Sequence, residues 1–433
     1  MSKFQLLEDV LTPPQTPPWE REVLVHSWPE PEFVPEETVP ARQYKNGRIE
    51  SLEDLDDVQE VLLLHAPKQK YAHVKKHPIP SLKNDREMLV QVEVVGLNPI
   101  DWKAPDFGFG LPNLPCISGR DLAGRVVDAP KTSSRFKVGD NVIAISTDYR
   151  DSRKAAYQQY AVVSDFNACK IPSSLRAEEA APLGVAFVAA ALGLGICIGL
   201  DFRVLNSGPR GPDLLRTIRS LTRNALPEDI HAECFDGVRE NERAKEGDWI
   251  AIWGGSSASG CCAVQLAKLC GLRVIAVIDV ARSGERMLRH GADLLVDRLD
   301  TERAISIVKS ITQGKLRFGL DTRGKETATL LAQAMQAEDE GGEKRAHLVG
   351  LTGLPNQPVN GVVTHSVPIK AFHEAPRVGE GLTIWLEKLL EQKLLATPDI
   401  EVATGGLGGI NDALDRLRDG TVNGPRIVVP LRV

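Results

Sequence analysis

The chemistry-bearing stretch of this chain is Trp249-Ile-Ala-Ile-Trp-Gly-Gly-Ser-Ser-Ala-Ser-Gly-Cys-Cys-Ala-Val-Gln-Leu266. An apolar strand runs into a turn of small residues and then into a helix. The first N–H groups of that helix have no partner within it, and the aligned peptide dipoles add partial positive charge, so a pyrophosphate fits there. Gly254, Gly255, Ser256, Ser257 and Gly260 form the cradle, with Gly255 expected to make the tight turn and Gly260 to let helix and sheet pack closely. Ser257 stands where a dinucleotide fingerprint has its middle glycine. Asp279, 24 residues after Gly255, follows the end of the next strand. A carboxylate there accepts from an adenosine ribose and repels a 2′-phosphate, which favours NAD. Arg282, Ser283 and Arg298 stand close by and could instead bind that phosphate, which favours NADP. The residues leave the choice open.

Composition narrows the partners. The chain has 433 residues, 42% hydrophobic and 25% charged, enough for one large core or two to three smaller ones. Its net charge of −6 excludes nucleic acid or an anionic membrane held by bulk charge. That charge is concentrated in residues 1–57, where 5 Lys+Arg and 13 Asp+Glu give −8 and leave +2 for the rest. No stretch is expected to reach the ~18–20 apolar residues that span a bilayer. The seven cysteines are scattered and without a C-x-x-C pair, which suits free thiols in a reducing compartment. With no apolar leader at the N-terminus, the expected location is the cytoplasm.

The elements that must position the turn read as follows. Residues 1–57 form a proline-rich acidic arm, extended or disordered, with Trp19, Trp28 and Phe33 as possible anchors. Strand patterns at 61–65, 88–95, 121–127, 139–146 and 159–163 make a mainly β lobe. Residues 178–194 turn helical. Residues 201–247 read as a surface insertion with a polar helix-like stretch at 213–223. From 248 to 396 strands at 249–253, 273–278, 293–296, 318–320 and 347–351 alternate with helices ending at 269, 289, 312 and 335. That order is a doubly wound parallel sheet. A last helix at 410–418 and a strand at 426–431 close the chain.

On these motifs the chain resembles the zinc-independent medium-chain dehydrogenase/reductases, the superfamily of quinone oxidoreductases and enoyl reductases. It is most similar to fungal trans-acting enoyl reductases. The resemblance covers 58–433 outside the insertion. It is carried by Gly96-Leu-Asn-Pro-Ile-Asp-Trp-Lys103, Gly119-Arg-Asp-Leu-Ala-Gly124, Phe136-Lys-Val-Gly-Asp140, Glu179-Ala-Ala-Pro-Leu183, Leu316-Arg-Phe-Gly-Leu-Asp321 and Gly424-Pro-Arg-Ile-Val-Val429, together with the nucleotide turn. It implies an α/β fold with a GroES-like β domain (58–196, completed by 398–433) beside a Rossmann domain (197–397), and an active site between them. Zinc-dependent members have cysteine where Asn98 stands and histidine where Arg120 stands, and a four-cysteine lobe absent here. Neither catalytic nor structural zinc is therefore expected.

Without a Lewis acid the implied reaction is NAD(P)H-dependent reduction of an activated C=C bond in a small unsaturated carbonyl compound, in fungal secondary metabolism. The alternatives are a quinone or aldehyde reductase and a non-catalytic nucleotide-binding partner protein. The family favours NADP(H), with NAD(H) open, and a monomer or a homodimer. By the same resemblance Lys103 polarises the carbonyl or delivers a proton, with Asp101 beside it. Asn98, Pro99, Val349, Gly350, Leu351 and Arg426 border the cofactor, and Val185, Ala186, Phe187 and Ala189 border the substrate pocket. The competing reading of Lys103 is a surface lysine paired with Asp101 or Asp106. Tyr157 and Tyr160 are further proton donors by type. Cys261 and Cys262 read as small residues packed beneath the phosphate loop, and the nine histidines show no metal-binding spacing.

Overall fold

A computed structural model describes residues 57–431, apart from 133, 206, 337–343 and 423. The acidic arm, save its last residue, and most of the charged turn at 338–345 lie outside the described residues.

Among the described residues, eight strands precede the first long helix: β1 (Val58–Leu64), β2 (Ala72–Pro78), β3 (Glu87–Gly96), β4 (Cys116–Ile117), β5 (Asp121–Asp128), β6 (Asn141–Ile145), β7 (Tyr160–Ser164) and β8 (Ala168–Lys170). Six follow it: β9 (Trp249–Trp253), β10 (Arg273–Ile278), β11 (Leu294–Asp297), β12 (Phe318–Asp321), β13 (Ala346–Gly350) and β14 (Val362–Ser366). The last two are β15 (Ile400–Val402) and β16 (Arg426–Pro430). The β lobe holds a small sheet, β2-β1-β4, and a larger one ordered β15-β16-β3-β5-β6-β8, with β7 also pairing β3. β16 runs antiparallel to β3, Val428 opposite Gly96 and Val429 opposite Val95, so the chain end completes the lobe. The second lobe is a sheet ordered β11-β10-β9-β12-β13-β14 with parallel pairings throughout. Its inner strands are apolar on both faces (Ile250 to Trp253, Val274 to Ile278), as a sheet covered on both sides requires. That strand order puts the crossover point at the β9–β12 crevice, where ligands of this architecture sit.

The expectation about apolar runs is overturned. Residues 180–200 carry no charge, and Ala177–Cys197 is a continuous 21-residue helix with mean hydropathy 2.1, long and apolar enough to span a bilayer. It is instead 89% buried, its Val188, Leu192 and Ile196 sharing a core with Ile252 and Val264. The insertion is also corrected. Its helix Leu214–Arg219 buries Leu214, Leu215 and Ile218 in that same core. Phe202 stacks on Trp385 at 4.6 Å, and a Cβ on Gly195 would lie 2.7 Å from Leu214, so the segment is built into the lobe. Trp385 belongs to the helix Pro376–Glu391, which the sequence reading did not name.

Candidate active site at the nucleotide turn

The phosphate cradle is built by close approach. Gly254, not Gly255, makes the turn: its φ is +77°, and a Cβ there would lie 2.3 Å from the Thr322 hydroxyl oxygen. Gly255 has ordinary backbone, and a Cβ there would come no closer than 3.2 Å, to the Ala276 methyl, with the Ile252 carbonyl oxygen at 3.4 Å. Gly260 does what its position implied, since a Cβ would come 2.5 Å from the Gly254 carbonyl oxygen and 2.8 Å from the Gly255 backbone. Ser257 caps the helix Ala258–Leu269, its hydroxyl accepting the Gly260 N–H at 3.0 Å and donating to Thr322 at 2.9 Å. Thr322 in turn donates to the Gly254 carbonyl at 3.0 Å. The serine replaces the middle glycine because its side chain locks the turn to β12. Ala258 and Ser259 then open the helix with N–H groups that intrahelical bonding does not use.

Asp279 stands one residue past β10 and caps the helix Val280–Arg289, its Oδ1 accepting the Arg282 N–H at 3.2 Å. Arg282 is exposed, and Arg298 is half-buried with its N–H on the Ile278 carbonyl at 2.8 Å. Ser283 is buried, so its hydroxyl does not join a 2′-phosphate site. Arg286, one turn further on, donates to the Ser256 carbonyl at 3.1 Å and sits 3.3 Å from Asp399. The sequence reading passed over it.

Across the crevice, Lys103 lies in the short helix Ile100–Phe107 and is half-buried. Neither expected ion pair forms. Arg418 holds Asp106 at 2.7 Å and 3.0 Å, and Asp101 is buried, its Oδ2 accepting the Asn98 N–H at 2.8 Å. Burial, and then the like charge of Arg323, lower the Lys103 pKa below the ordinary lysine value. Arg323 follows β12 and lies against the nucleotide turn, its Cγ 2.8 Å from where a Gly254 Cβ would be. Lys103 of the β lobe thus feels the charge of Arg323, which itself lies against the glycine turn of the Rossmann lobe. Arg323 and Thr322 could have been flagged, because they directly follow the quoted motif that ends at Asp321.

Several expected contacts belong instead to a buried network under the site. Asn98 donates to Asp121 Oδ2 at 2.9 Å, and its Oδ1 accepts from Arg426 at 2.8 Å. Arg426 also donates to the Leu97 carbonyl at 2.5 Å. Asp121 Oδ1 accepts the Val185 N–H at 2.7 Å, at the point where the Ala177–Cys197 helix passes Gly184. Burial pushes Asp121 up to about 6 against the opposing pull of Arg426. Asn98 and Arg426 therefore hold one another and, through Asp121, the Val185 helix, while Asp101 accepts the Asn98 backbone N–H at the start of the Lys103 helix. Arg120 lies 3.5 Å over the Tyr149 ring. Tyr157 is fully buried, and Tyr160 is mostly buried with Gln91 donating to its hydroxyl at 3.0 Å.

Of the pocket residues, Val185 and Ala189, one turn apart, are half-buried. Phe187 is fully buried with its ring 6.0 Å from Trp385, so it is core and not pocket wall. Ala186 borders a recess with Ala258, Cys261, Cys262 and His290. The Val349 side chain is buried, 3.3 Å from a Gly193 Cβ, and Gly350 packs on the Gly353 carbonyl. Leu351 and Pro99 keep exposed surface. Burial raises both Cys261, to about 11, and Cys262, so neither thiol is activated.

Known proteins were compared with this geometry. The Alcohol dehydrogenase GroES-like domain family matches residues 84–173. A trans-enoyl reductase of Fusarium mangiferae is 28% identical over 378 residues, 82% of this chain and 94% of that protein. A trans-enoyl reductase of Botryotinia fuckeliana is 28% identical over 81% of this chain and 94% of its own length. Among solved structures, an alcohol dehydrogenase superfamily protein from Novosphingobium aromaticivorans superposes with a TM-score of 0.65 at 20% identity, covering 86% of this chain and 99% of that one. The Escherichia coli quinone oxidoreductase complexed with NADPH gives 0.61 at 15% identity, over 86% and 99%. The sequence match over four fifths of the chain, the GroES-like domain and the parallel sheet with its glycine turn agree: the chain has the two-domain fold of the medium-chain dehydrogenase/reductases and is an oxidoreductase.

Proposed function

We propose that the protein is an NADPH-dependent reductase of the C=C bond of an enoyl or enone substrate, working without zinc in the crevice between the lobes. The carrying observation is Lys103, which pairs with neither neighbouring aspartate and stands by Arg323 against the nucleotide turn. The trans-enoyl reductase names of its relatives support the same substrate class.

The cradle fits a dinucleotide: two glycines whose Cβ atoms would strike backbone or Thr322, and a capped 12-residue helix aimed at the turn. The diphosphate would rest on the Gly255 to Ser259 segment, with Arg323 at its edge. Asp279 spends one carboxylate oxygen on its helix cap, and Arg282 and Arg298 supply positive charge for a 2′-phosphate. A nicotinamide held by this cradle would supply the hydride for the β-carbon. Lys103, held as a cation in a partly desolvated place, polarises the substrate carbonyl and is the proton source for the α-carbon. Its lowered pKa makes it a better acid near neutral pH than a free lysine. The buried network of Asp101, Asn98, Arg426 and Asp121 keeps the lysine loop and the start of the Val185 helix in fixed relation. Asn98 and Arg120, at the positions of zinc ligands in zinc-dependent relatives, are an amide engaged on both ends and a stacked guanidinium. On this reading 58–196 with 398–433 is the catalytic domain and 197–397 the cofactor domain of a cytoplasmic monomer or homodimer.

Fluorescence titration with NADPH and NADH, followed by turnover on enoyl thioesters, enones, quinones and aldehydes, tests this. Tight NADPH binding with preference for the enoyl and enone substrates is expected. Binding with no turnover would favour the nucleotide-binding partner role.

A further inference from the structure

At the edge of the parallel sheet, a buried set of donor atoms takes no part in the site above. Cys197 ends the Ala177–Cys197 helix, Glu233 comes from the 201–247 insertion, and His365 lies on β14. One donor atom from each lies within 4.8 Å of the other two. The Cys197 side chain is fully buried, His365 is 1% exposed and Glu233 18%.

The hydrogen bonds around the cluster point to a cation in it. Glu242 is held as an anion by Arg345, with contacts of 2.7 Å and 2.8 Å. His347 Nε2 is buried without a hydrogen-bond partner among the described residues and lies 3.5 Å from Glu242; a hydrogen on that nitrogen, toward the anion, makes His347 Nδ1 the acceptor of His365 Nε2 at 2.9 Å. His365 Nδ1 is then left as a lone pair 2.6 Å from Glu233 Oε2. Two acceptors do not meet at that distance without a positive charge in or beside the contact. A proton would serve the histidine and the carboxylate but leave Cys197 with no more than a weak hydrogen bond of 3.8 Å to the Ser366 carbonyl among the described residues.

We propose that Cys197, Glu233 and His365 bind a divalent cation of the zinc class, which fastens the insertion to the edge of the Rossmann sheet. Thiolate, imidazole and carboxylate together suit zinc better than magnesium or calcium, which prefer oxygen alone. Charge balances: a dication with a thiolate, a carboxylate and a neutral imidazole sums to zero, so burial carries no net charge. His347, oriented by Glu242, supplies the outer support that metal-bound histidines require. Glu233 Oε1 also accepts the Ser366 N–H at 2.9 Å, so the carboxylate is pre-placed. The three ligands lie 36 and 132 residues apart in sequence, which is why no spacing motif announces them. The ion is structural and takes no part in hydride transfer.

The test uses the full-length chain purified from zinc-supplemented cells and dialysed against metal-free buffer. Elemental analysis should find one zinc per chain. Cobalt(II) put in its place should give a thiolate-to-metal absorption band in the near ultraviolet. Cys197→Ser should remove that band, whereas Cys270→Ser should keep it. His347→Leu should weaken metal affinity about 10–100-fold. If Cys197→Ser does not fold, Glu233→Gln, at a partly exposed position, should weaken zinc binding to a similar degree. Wild-type protein without stoichiometric zinc or cobalt would overturn the proposal. So would a Cys197→Ser protein with an unchanged cobalt spectrum, leaving His365 as a protonated partner of Glu233. Neither readout depends on reductase activity.

Discussion

Replacing Gly260 by alanine separates cofactor binding from folding. The added Cβ would lie 2.5 Å from the Gly254 oxygen and 2.8 Å from the Gly255 Cα and carbonyl carbon. Ordinary contact begins at 3.4 Å, so the turn must retreat by about 0.6–0.9 Å, and backbone atoms cannot step aside as a flexible side chain would. Alanine gains about 1 kcal/mol of helix propensity, while overpacking costs about 1–3 kcal/mol. The net loss of stability is therefore about 0–2 kcal/mol, and the protein should still fold. Binding suffers more. Amides moved by most of an ångström lose hydrogen bonds to a charged diphosphate worth about 1.5–3 kcal/mol each. We expect NADPH affinity to fall about 100-fold, or ~2.7 kcal/mol. Gly255→Ala, whose Cβ would come no closer than 3.2 Å to any atom, should lose less than that. Fluorescence titration with a thermal melt of each variant is the assay. A folded Gly260→Ala protein with wild-type affinity would refute the assignment of the turn.

Three further outcomes are expected. Lys103→Met should lower kcat about 100-fold or more with NADPH affinity unchanged, and an unchanged kcat would remove the lysine from the reaction. Asp279→Ser keeps a side chain able to cap the helix while deleting the charge, so the NADPH-to-NADH affinity ratio should rise about tenfold, ~1.4 kcal/mol; an unaltered ratio would show that the carboxylate never meets the ribose. His373, whose Nδ1 lies 2.7 Å from the Thr147 hydroxyl, is held down to about 4 by burial, with Asp148 and Glu374 opposing. Because the folded protein resists protonating it, its contribution is complete above pH 6.5 and is lost as pH falls through about 4, at most about 3 kcal/mol. Denaturant melts of His373→Asn should show a flatter loss over that window, and a slope equal to wild type would contradict this.

What could be read in the sequence followed local physics. Strands such as Trp249–Trp253 and Arg273–Ile278, apolar on both faces and punctuated by glycine, announced the parallel sheet. The glycine turn was legible for the same reason, yet which glycine took positive φ depended on Thr322, 68 residues beyond Gly254. The Pro376–Glu391 helix was readable too, with Pro376 at its first turn and Val378, Leu382, Trp385, Leu386 and Leu389 at helical spacing. The insertion misled because its apolar residues, among them Phe202, Leu214, Leu215 and Ile218, are spread through charged text yet converge in one core beside the Gly195 notch, which sequence density alone does not reveal. Asn98 and Arg426 sit 328 residues apart, and their mutual hydrogen bond turned two expected cofactor contacts into supports.

Isotope transfer tests the central claim most directly. The enzyme would be given NADPH deuterated at the transferable position of the nicotinamide, together with an α,β-unsaturated thioester, in ordinary water. One deuterium at the β-carbon and a solvent proton at the α-carbon is the predicted product. Deuterium retained on the cofactor, or found only on the oxygen-bearing carbon of a carbonyl substrate, would contradict it.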